Sequence, residues 1–283
     1  MSRKPQTPEL VGLARLLEGR KLFLLDMDGT LYLGDTLFPF AAGFLQAIRD
    51  SGASYLFLTN NSSKGTDAYV EKLTRLGIPA SPGDFFTSTD AACSHLRTHY
   101  RGRRIYALGT ESFKAQLRRE GFPVTDRVEE DVDCLLMGYD TELTYQKLID
   151  ASVLLGRGVE YLATNPDWVC PTAFGYVPDC GSIAQALEHA TGRLPRFLGK
   201  PEPEIALLAM EKAGVKPGET VLVGDRIYTD ILCGKRAGAA TILVFSGETT
   251  PEVCRQSATQ PDFAVENAGY IQKAMEYARN RGN

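Results

Sequence analysis

Two aspartates, Asp26 and Asp28, follow the apolar run Leu22–Leu25 and are separated by one residue. Such an unbroken run predicts a strand covered on both faces, as in a parallel sheet, and Gly29 lets the chain turn away from it. Neighbouring carboxylates repel each other unless a cation or a shared proton lies between them. We therefore expect a hard metal ion at this strand end and a raised pKa on one of the two acids. For Asp-x-Asp-Gly alone, an exposed acidic turn or a calcium loop is the alternative.

Three further polar clusters stand out, and two of them also follow apolar runs. They are Thr59-Asn60, Gly199-Lys200-Pro201, and Gly224-Asp225 with Asp230. Carboxylates that converge with a lysine and with hydroxyl or amide donors suit a Mg²⁺ ion that holds a phosphoryl group, because Mg²⁺ prefers carboxylate, water and phosphate oxygens. An aspartate can then attack phosphorus while a neighbouring aspartate moves the proton. Taken alone, Lys200 also fits a solvated surface lysine, and Asp230 fits the N-cap of a helix beginning at Ile231.

The elements that must position these residues alternate between strand and helix. Apolar strands are predicted at 22–25, 55–58, 220–223 and 241–245, and helices at 41–50, 66–76 and 268–279. Further strands at 105–108, 134–137 and 161–163 alternate with polar helices. We predict an α/β fold in which the last strands return the chain to the starting sheet and residues 88–196 could form a domain of their own.

The composition favours small-molecule ligands. Its 31 Lys and Arg against 35 Asp and Glu give a net charge of −4 and no basic field for nucleic acid. The first residues lack the apolar stretch of a secretion signal, and no run reaches the ~18 apolar residues of a membrane span, so we predict a cytoplasmic protein without a membrane partner. The six scattered cysteines are predicted to be free thiols. With three histidines and no His-Glu-x-x-His spacing, a zinc site or a Ser-His-Asp triad has little support.

The order and spacing of the four clusters resemble the motifs of the haloacid dehalogenase superfamily of phosphotransferases. Asp26-Met-Asp28-Gly29-Thr30 is similar to the first motif, Leu58-Thr59-Asn60 to the second, Lys200 to the third, and Gly224-Asp225 with Asp230 to the fourth. Only 33 positions separate Asp26 from Thr59, whereas 141 separate Thr59 from Lys200. A cap therefore fits only between the second and third motifs. The resemblance thus implies a doubly wound parallel-sheet (Rossmann-like) catalytic core over 1–87 and 197–283, with a smaller α/β cap domain inserted over 88–196. This layout resembles the p-nitrophenylphosphatase and NagD-like branch.

The resemblance implies roles for the acidic residues. Asp26 would be the nucleophile and a Mg²⁺ ligand, and Asp28 the general acid and base that also meets the metal through its backbone carbonyl. Asp225 would complete the metal ligands, and Asp230 would lie in the outer shell, orienting Lys200 or a water on the metal. An acid at Asp28 argues for phosphate esters over dehalogenation, because only the ester has an alkoxide leaving group to protonate.

The resemblance also implies which residues bind the substrate. Phosphoryl oxygens would be held by Thr59, Asn60 and the amide of Asn61, with Lys200 neutralising charge. In the resembled branch, the loop containing Asp167 and Trp168 determines substrate specificity, although a lone Trp ring is also consistent with simple packing.

These observations lead to one function hypothesis: Mg²⁺-dependent hydrolysis of small phosphomonoesters through an aspartyl phosphate. The substrate type stays open among sugar phosphates, nucleotides, phosphoglycolate and pyridoxal phosphate, with p-nitrophenyl phosphate as an artificial substrate. The alternatives are a non-catalytic sensor of phospholigands and a phosphotransferase with an acceptor other than water. A homodimer formed through the cap is also left open.

Overall fold

The computed structural model describes residues 8–172 and 175–282. Its helices α1–α11 are, in chain order, Pro8–Leu17, Ala41–Asp50, Thr66–Arg75, Ser88–His99, Glu111–Arg119, Tyr145–Gly156, Cys180–Thr191, Pro203–Ala213, Leu232–Ala237, Pro251–Gln256 and Ala268–Gly282. Its strands β1–β15 are Leu22–Leu25, Tyr32–Leu33, Thr36–Leu37, Ser54–Thr59, Phe85–Thr87, Arg104–Leu108, Val124–Thr125, Val132–Met137, Glu160–Ala163, Val169–Thr172, Gly175–Pro178, Arg196–Phe197, Thr220–Gly224, Ala240–Val244 and Phe263–Val265. The strands and helices predicted from the sequence are confirmed, with ends that differ by a few residues.

The chain forms two compact units. The first comprises the described residues up to Leu58, residues 76–78 and those from Ala206 onward, and the second comprises residues 59–75 and 79–205. The second unit is therefore inserted into the chain of the first. The predicted fold class, a doubly wound parallel sheet with an inserted α/β domain, is confirmed. The assignment of residues 1–87 and 197–283 to a catalytic core, and of residues 88–196 to a cap, stays a prediction.

Parallel strands form the centre of the first unit, in the order β15-β14-β13-β1-β4. All four residues of β1 are buried. On one face, Phe23 packs edge to face against Phe44 of α2, with ring centroids 6.5 Å apart. On the other face, α9 lies so close that a Cβ on Gly234 would be 3.1 Å from the Cβ of Leu222, which is in register with Leu24. Helices thus cover both faces, which explains the continuous apolar runs.

The second unit has its own parallel sheet, in the order β12-β9-β8-β6-β7. Alternate residues of β6 enter two separate apolar cores, because side chains alternate across a strand. Tyr106 and Leu108 pack with residues of α6 and α7, whereas Ile105 and Ala107 pack with residues of α4 and α5. Strands β10 and β11 pair separately, in antiparallel orientation.

Two simpler expectations can be compared with the structure. All six cysteines are free thiols, as predicted. Within residues 8–172 and 175–282, no helix combines the length and the apolar character needed to cross a membrane.

Candidate functional site

Three carboxylates meet at the carboxyl ends of two neighbouring strands in the first unit. Strands β1 and β13 are parallel and pair Leu25 with Val223, so the residues after them lie side by side. Asp26 follows β1, and its N–H continues the ladder by donating to the carbonyl of Val223 at 2.9 Å. Asp225 follows β13, and Asp230 lies in the π-helical turn Ile227–Ile231. One carboxylate oxygen from each of the three aspartates lies within 4.8 Å of the others.

Asp225 is the most constrained of these acids. Its Oδ2 accepts the backbone N–H of Glu248 at 2.7 Å, whereas its Oδ1 is buried and has no hydrogen-bond partner among the described residues. Burial, and then the negative charges of Asp26 and Asp230, raise the pKa of Asp225 well above its usual range. The raised pKa predicted from the sequence for Asp26 or Asp28 stays a prediction, and the structure adds Asp225 as an acid whose pKa is raised.

Glycines permit this close packing of carboxylates. A Cβ added to Gly29 would lie 2.5 Å from Asp225 Oδ2, and one added to Gly247 would lie 2.0 Å from the same atom. Gly29 also has a φ of +81°, a conformation that favours glycine. A Cβ on Gly224 would lie 2.3 Å from Cγ of Asp230. The glycines therefore leave room for Asp225 and Asp230 where any other residue would displace their side chains.

The residues present fit a divalent cation. Clustered carboxylate oxygens are the ligands that Mg²⁺ takes in proteins, and a buried carboxylate oxygen without a donor lacks the partner that native structures normally supply. Asp26, Asp225 and Asp230 are therefore the residues that could hold the ion. The predicted contact through the backbone carbonyl of Asp28, which is half-buried, stays a prediction. The alternative for Asp230, an N-cap of α9, is wrong, because Ile231 occupies the N-cap position. Asp230 Oδ2 instead accepts the N–H of Arg226 at 3.0 Å.

The predicted phosphate-binding residues lie in the second unit, beginning with Thr59 at the end of β4. The hydroxyl of Thr59 accepts the N–H of Asn61 at 3.2 Å. The side chain of Asn61 turns back to the chain, where its Oδ1 accepts the N–H of Ser63 at 3.0 Å and the Ser63 hydroxyl at 2.7 Å. Lys200 is buried, with 2% of its surface exposed. The polar turn after β4 is thus ordered by its own side chains.

The side-chain amide of Asn60 forms three hydrogen bonds inside the second unit. Its Oδ1 accepts the backbone N–H of Lys200 at 2.8 Å, and its Nδ2 donates to the carbonyl of Lys200 at 2.8 Å. The same Nδ2 donates to Oδ2 of Asp167 at 2.7 Å. A carboxamide has two N–H donors, and here both are engaged. The backbone of Asn60 is held as well, because the Ser88 hydroxyl donates to its carbonyl at 2.6 Å.

The two residues predicted to recognise the substrate differ sharply in exposure. Asp167 is 3% exposed and also accepts a hydrogen bond from Asn165 at 2.9 Å. Trp168 is 68% exposed, so the alternative in which its ring is packed in a core is wrong. Nearby, burial and then the charge of Asp179 raise the pKa of the Cys180 thiol to about 12, which keeps it protonated and excludes it as a nucleophile at neutral pH.

Sequence reasoning did not identify the segment beside Asp225, and it matched Asn165 to the family loop without assigning its contacts. The segment Gly247-Glu248 packs against Asp225, and it follows shortly after β14; the rule that polar residues beyond parallel strand ends form sites would have found it. Asn165, which donates to both Asp167 and Asp179, is buried without a pattern that could have revealed its partners.

Comparison with known proteins places this geometry in context. Residues 23–123 match the family described as haloacid dehalogenase-like hydrolase, and residues 197–269 match a second family described as HAD-hydrolase-like. An acid sugar phosphatase from Staphylococcus haemolyticus is 32% identical over 260 residues, which cover 92% of this chain and 98% of the relative. A 4-nitrophenylphosphatase structure from Thermotoga maritima has 41% identity and a TM-score of 0.87, and the match covers 92% of this chain and 99% of that one.

A third similar protein bears on the metal. The structure of a glycerol phosphate phosphatase from Mycobacterium tuberculosis in complex with magnesium has 27% identity and a TM-score of 0.84. The match covers 91% of this chain and 78% of that one.

Proposed function

Because this chain belongs to the haloacid dehalogenase-like hydrolases, we propose that it hydrolyses small phosphomonoesters in a Mg²⁺-dependent reaction with an aspartyl phosphate on Asp26. The match to this family confirms the resemblance inferred from the four sequence motifs. The similar proteins are named for sugar phosphate, 4-nitrophenyl phosphate and glycerol phosphate, so a range of small monoesters, nucleotides, phosphoglycolate and pyridoxal phosphate included, is the substrate class to test.

One observation supports the metal requirement above the others: three carboxylates lie within 4.8 Å, and one of their oxygens is buried without a partner. A dianionic phosphate cannot approach such a cluster unscreened. When bound, Mg²⁺ would neutralise the charge of the carboxylates and of the phosphoryl oxygens. Asp26, Asp225 and the backbone carbonyl of Asp28 are the proposed ligands. Asp230, which is held by the Arg226 N–H, would orient its neighbours from the outer shell.

In the proposed reaction, an oxygen of Asp26 forms a bond to phosphorus while the bond from phosphorus to the ester oxygen breaks. Asp28 gives its proton to the departing alkoxide. Asp28 then takes a proton from a water molecule that attacks the aspartyl phosphate. Inorganic phosphate leaves, and Asp26 is restored as a carboxylate. Asp28 is half-buried in the turn after β1, where it keeps access to solvent for these proton transfers.

The proposed phosphate contacts come from Thr59, the main chain of Asn60, the amide of Asn61 and Lys200. A lysine ammonium and main-chain or hydroxyl donors are suited to the charge that develops on a transferring phosphoryl group. We further propose that Trp168, with its exposed ring, contacts the leaving group, with Asp167 in the same loop. An exposed aromatic ring offers a flat apolar surface on which a base, pyridine or nitrophenyl ring can stack.

The test is phosphate release from a panel of monoesters, measured with Mg²⁺ and again in excess chelator. We expect turnover with the metal and none without it. Full turnover in chelator, with metal shown to be absent, would refute the metal requirement. Binding without turnover would instead identify a sensor, and transfer of phosphate to added alcohols or sugars would identify a phosphotransferase.

A further inference from the structure

We propose that the side chain of Asn60 is a positioning residue for Lys200 and makes no direct contact with phosphate. This inference rests on the proposed function, in which Lys200 balances charge during phosphoryl transfer. It revises the role of Asn60, whose position in the second motif suggests a direct phosphate contact.

The argument begins with the saturation of the Asn60 amide. Both of its N–H groups are donated, one to the carbonyl of Lys200 and one to Asp167, and its oxygen accepts the N–H of Lys200. A phosphoryl oxygen would need one of those two donors, so Asn60 would first have to break a buried hydrogen bond to Lys200 or Asp167, which is costly. The main-chain N–H and C=O of Lys200 together fix the orientation of the amide, because one requires an acceptor and the other a donor.

The second step concerns what these bonds do to Lys200. Two hydrogen bonds from one side chain hold both polar groups of a single residue's main chain, so the start of a long side chain is fixed in position and direction. The main chain of the preceding residue, Gly199, is closely packed. A Cβ on Gly199 would lie 2.4 Å from the carbonyl oxygen of Thr164 and 2.6 Å from Asn60 Oδ1. The chain entering Lys200 is thus clamped between Thr164 and Asn60.

The third hydrogen bond extends the effect to the loop carrying Trp168. Asp167 receives N–H donors from Asn60 and Asn165 on the same oxygen, Oδ2, at 2.7 Å and 2.9 Å. Asn60 therefore links the lysine to the residue that precedes the exposed tryptophan. One amide sets the position of two segments that are distant in sequence.

A double-mutant cycle tests this assignment. Asn60→Ala should lower kcat/KM for phosphomonoesters by about 10²-fold, the loss typical of a catalytic group that is misplaced by about 1 Å. If Asn60 acts through Lys200, adding Asn60→Ala to Lys200→Ala should lower activity by less than about threefold more. Two effects that multiply would show that Asn60 contacts the substrate on its own, and would overturn the proposal.

Asn165→Ala provides a matched control. It removes another buried amide that donates to Asp167, but it has no hydrogen bond to Lys200 among those of the described residues. The loss of kcat/KM caused by Asn165→Ala should therefore multiply with the loss caused by Lys200→Ala. Coupling to Lys200 that equals the coupling of Asn60→Ala would mean that both variants act by loosening the fold.

A second measurement does not depend on phosphatase activity. Amide hydrogen exchange should show the Lys200 N–H protected in the wild type and exposed in Asn60→Ala, because its acceptor is lost. The N–H of Leu198, which donates to the carbonyl of Ala163 at 3.0 Å, should stay protected in both. Unchanged protection at Lys200 would overturn the proposal even in an active enzyme. If no monoester is hydrolysed, the proposed function fails, and the exchange result alone decides whether Asn60 holds Lys200.

Discussion

Asp225→Asn should make the metal-free protein more stable and should abolish its stabilisation by Mg²⁺. The amide oxygen can replace Oδ2 as acceptor of the Glu248 N–H, and the new NH₂ group then occupies the place of the unpartnered Oδ1. Two charges 4.8 Å apart repel by about 3.5 kcal/mol at an effective dielectric constant of 20. The substitution removes that repulsion, because an amide carries no charge.

These energies convert into melting temperatures. An unfolding entropy of about 2.1 cal/mol/K per residue gives about 0.6 kcal/mol per degree for 283 residues. Removing about 3.5 kcal/mol of repulsion should therefore raise the melting temperature of the metal-free variant by about 6 °C above that of the wild type. For the wild type, Mg²⁺ at 100 times its Kd adds about 2.7 kcal/mol, or about 4–5 °C, whereas the variant should shift by less than about 1 °C.

The pH dependence has a definite sign. The folded state raises the pKa of Asp225, so the metal-free fold binds a proton that the unfolded chain releases. The stabilisation from that proton is complete below the unfolded pKa of about 3.9 and is lost as the pH rises through the folded pKa. The advantage of Asp225→Asn should accordingly be largest at neutral pH and should shrink in acid.

Differential scanning calorimetry in chelator and in Mg²⁺, at neutral and acid pH, measures all of these quantities. Asp131→Asn is the matched control, because its side chain is 69% exposed and a surface change of this kind alters stability by less than about 0.5 kcal/mol. A metal-free variant that melts below the wild type would refute the repulsion argument. An undiminished Mg²⁺ shift would remove Asp225 from the metal ligands.

Three further predictions concern catalysis and stability. Asp26→Asn should eliminate the covalent phosphoenzyme in a rapid-quench experiment. Asp28→Asn should lower kcat by about 10²–10⁴-fold, and by more for alkyl than for p-nitrophenyl esters. Equal losses for the two kinds of ester in the phosphorylation step would contradict the role of Asp28 as an acid. Trp168→Ala should change the ranking of substrates in kcat/KM by about fivefold, the value of one aromatic stack, with an unchanged Tm because the ring is 68% exposed; an unchanged ranking would exclude Trp168 from the site. Lys147→Met should lower the free energy of unfolding by about 3–5 kcal/mol in chemical denaturation, because the fully buried carboxylate of Asp140 loses the ammonium group that contacts it at 2.7 Å. A loss below about 1 kcal/mol would show that this ion pair does not contribute to stability.

The sequence predicts the acidic half of the site because that half follows from local signals. Asp26 and Asp225 each end a buried apolar run, and parallel strands bring such ends to one edge of a sheet. The same rule would have found the segment Gly247-Glu248 after β14, but it could not have predicted how closely Gly247 packs against Asp225, because that distance depends on tertiary packing. The saturation of the Asn60 amide is likewise invisible in the sequence, since its partners lie 107 and 140 residues away.

The fold also contains strands that the sequence predicts and strands that it does not. The long strands of both sheets were predictable, because a strand buried on both faces appears as a continuous apolar run. Strands β7 and β12 have two residues each, too few for any periodic pattern. They form only because a neighbouring strand offers hydrogen-bonding groups, which is a property of the tertiary structure.

The pairing of β1 with β13 has a consequence for how this chain is made. Leu22 pairs with Thr220, so β1 is synthesised long before one of its two neighbours. At about 5–20 residues per second, the ribosome needs about 10–40 s to travel from one strand to the other. During that interval the apolar strand β1 lacks β13, one of its two neighbouring strands. The segment 79–205 emerges without interruption and can complete its own sheet. Nascent chains should therefore acquire protease resistance in the inserted unit first, and they should depend on chaperones that shield β1 until the last strands arrive.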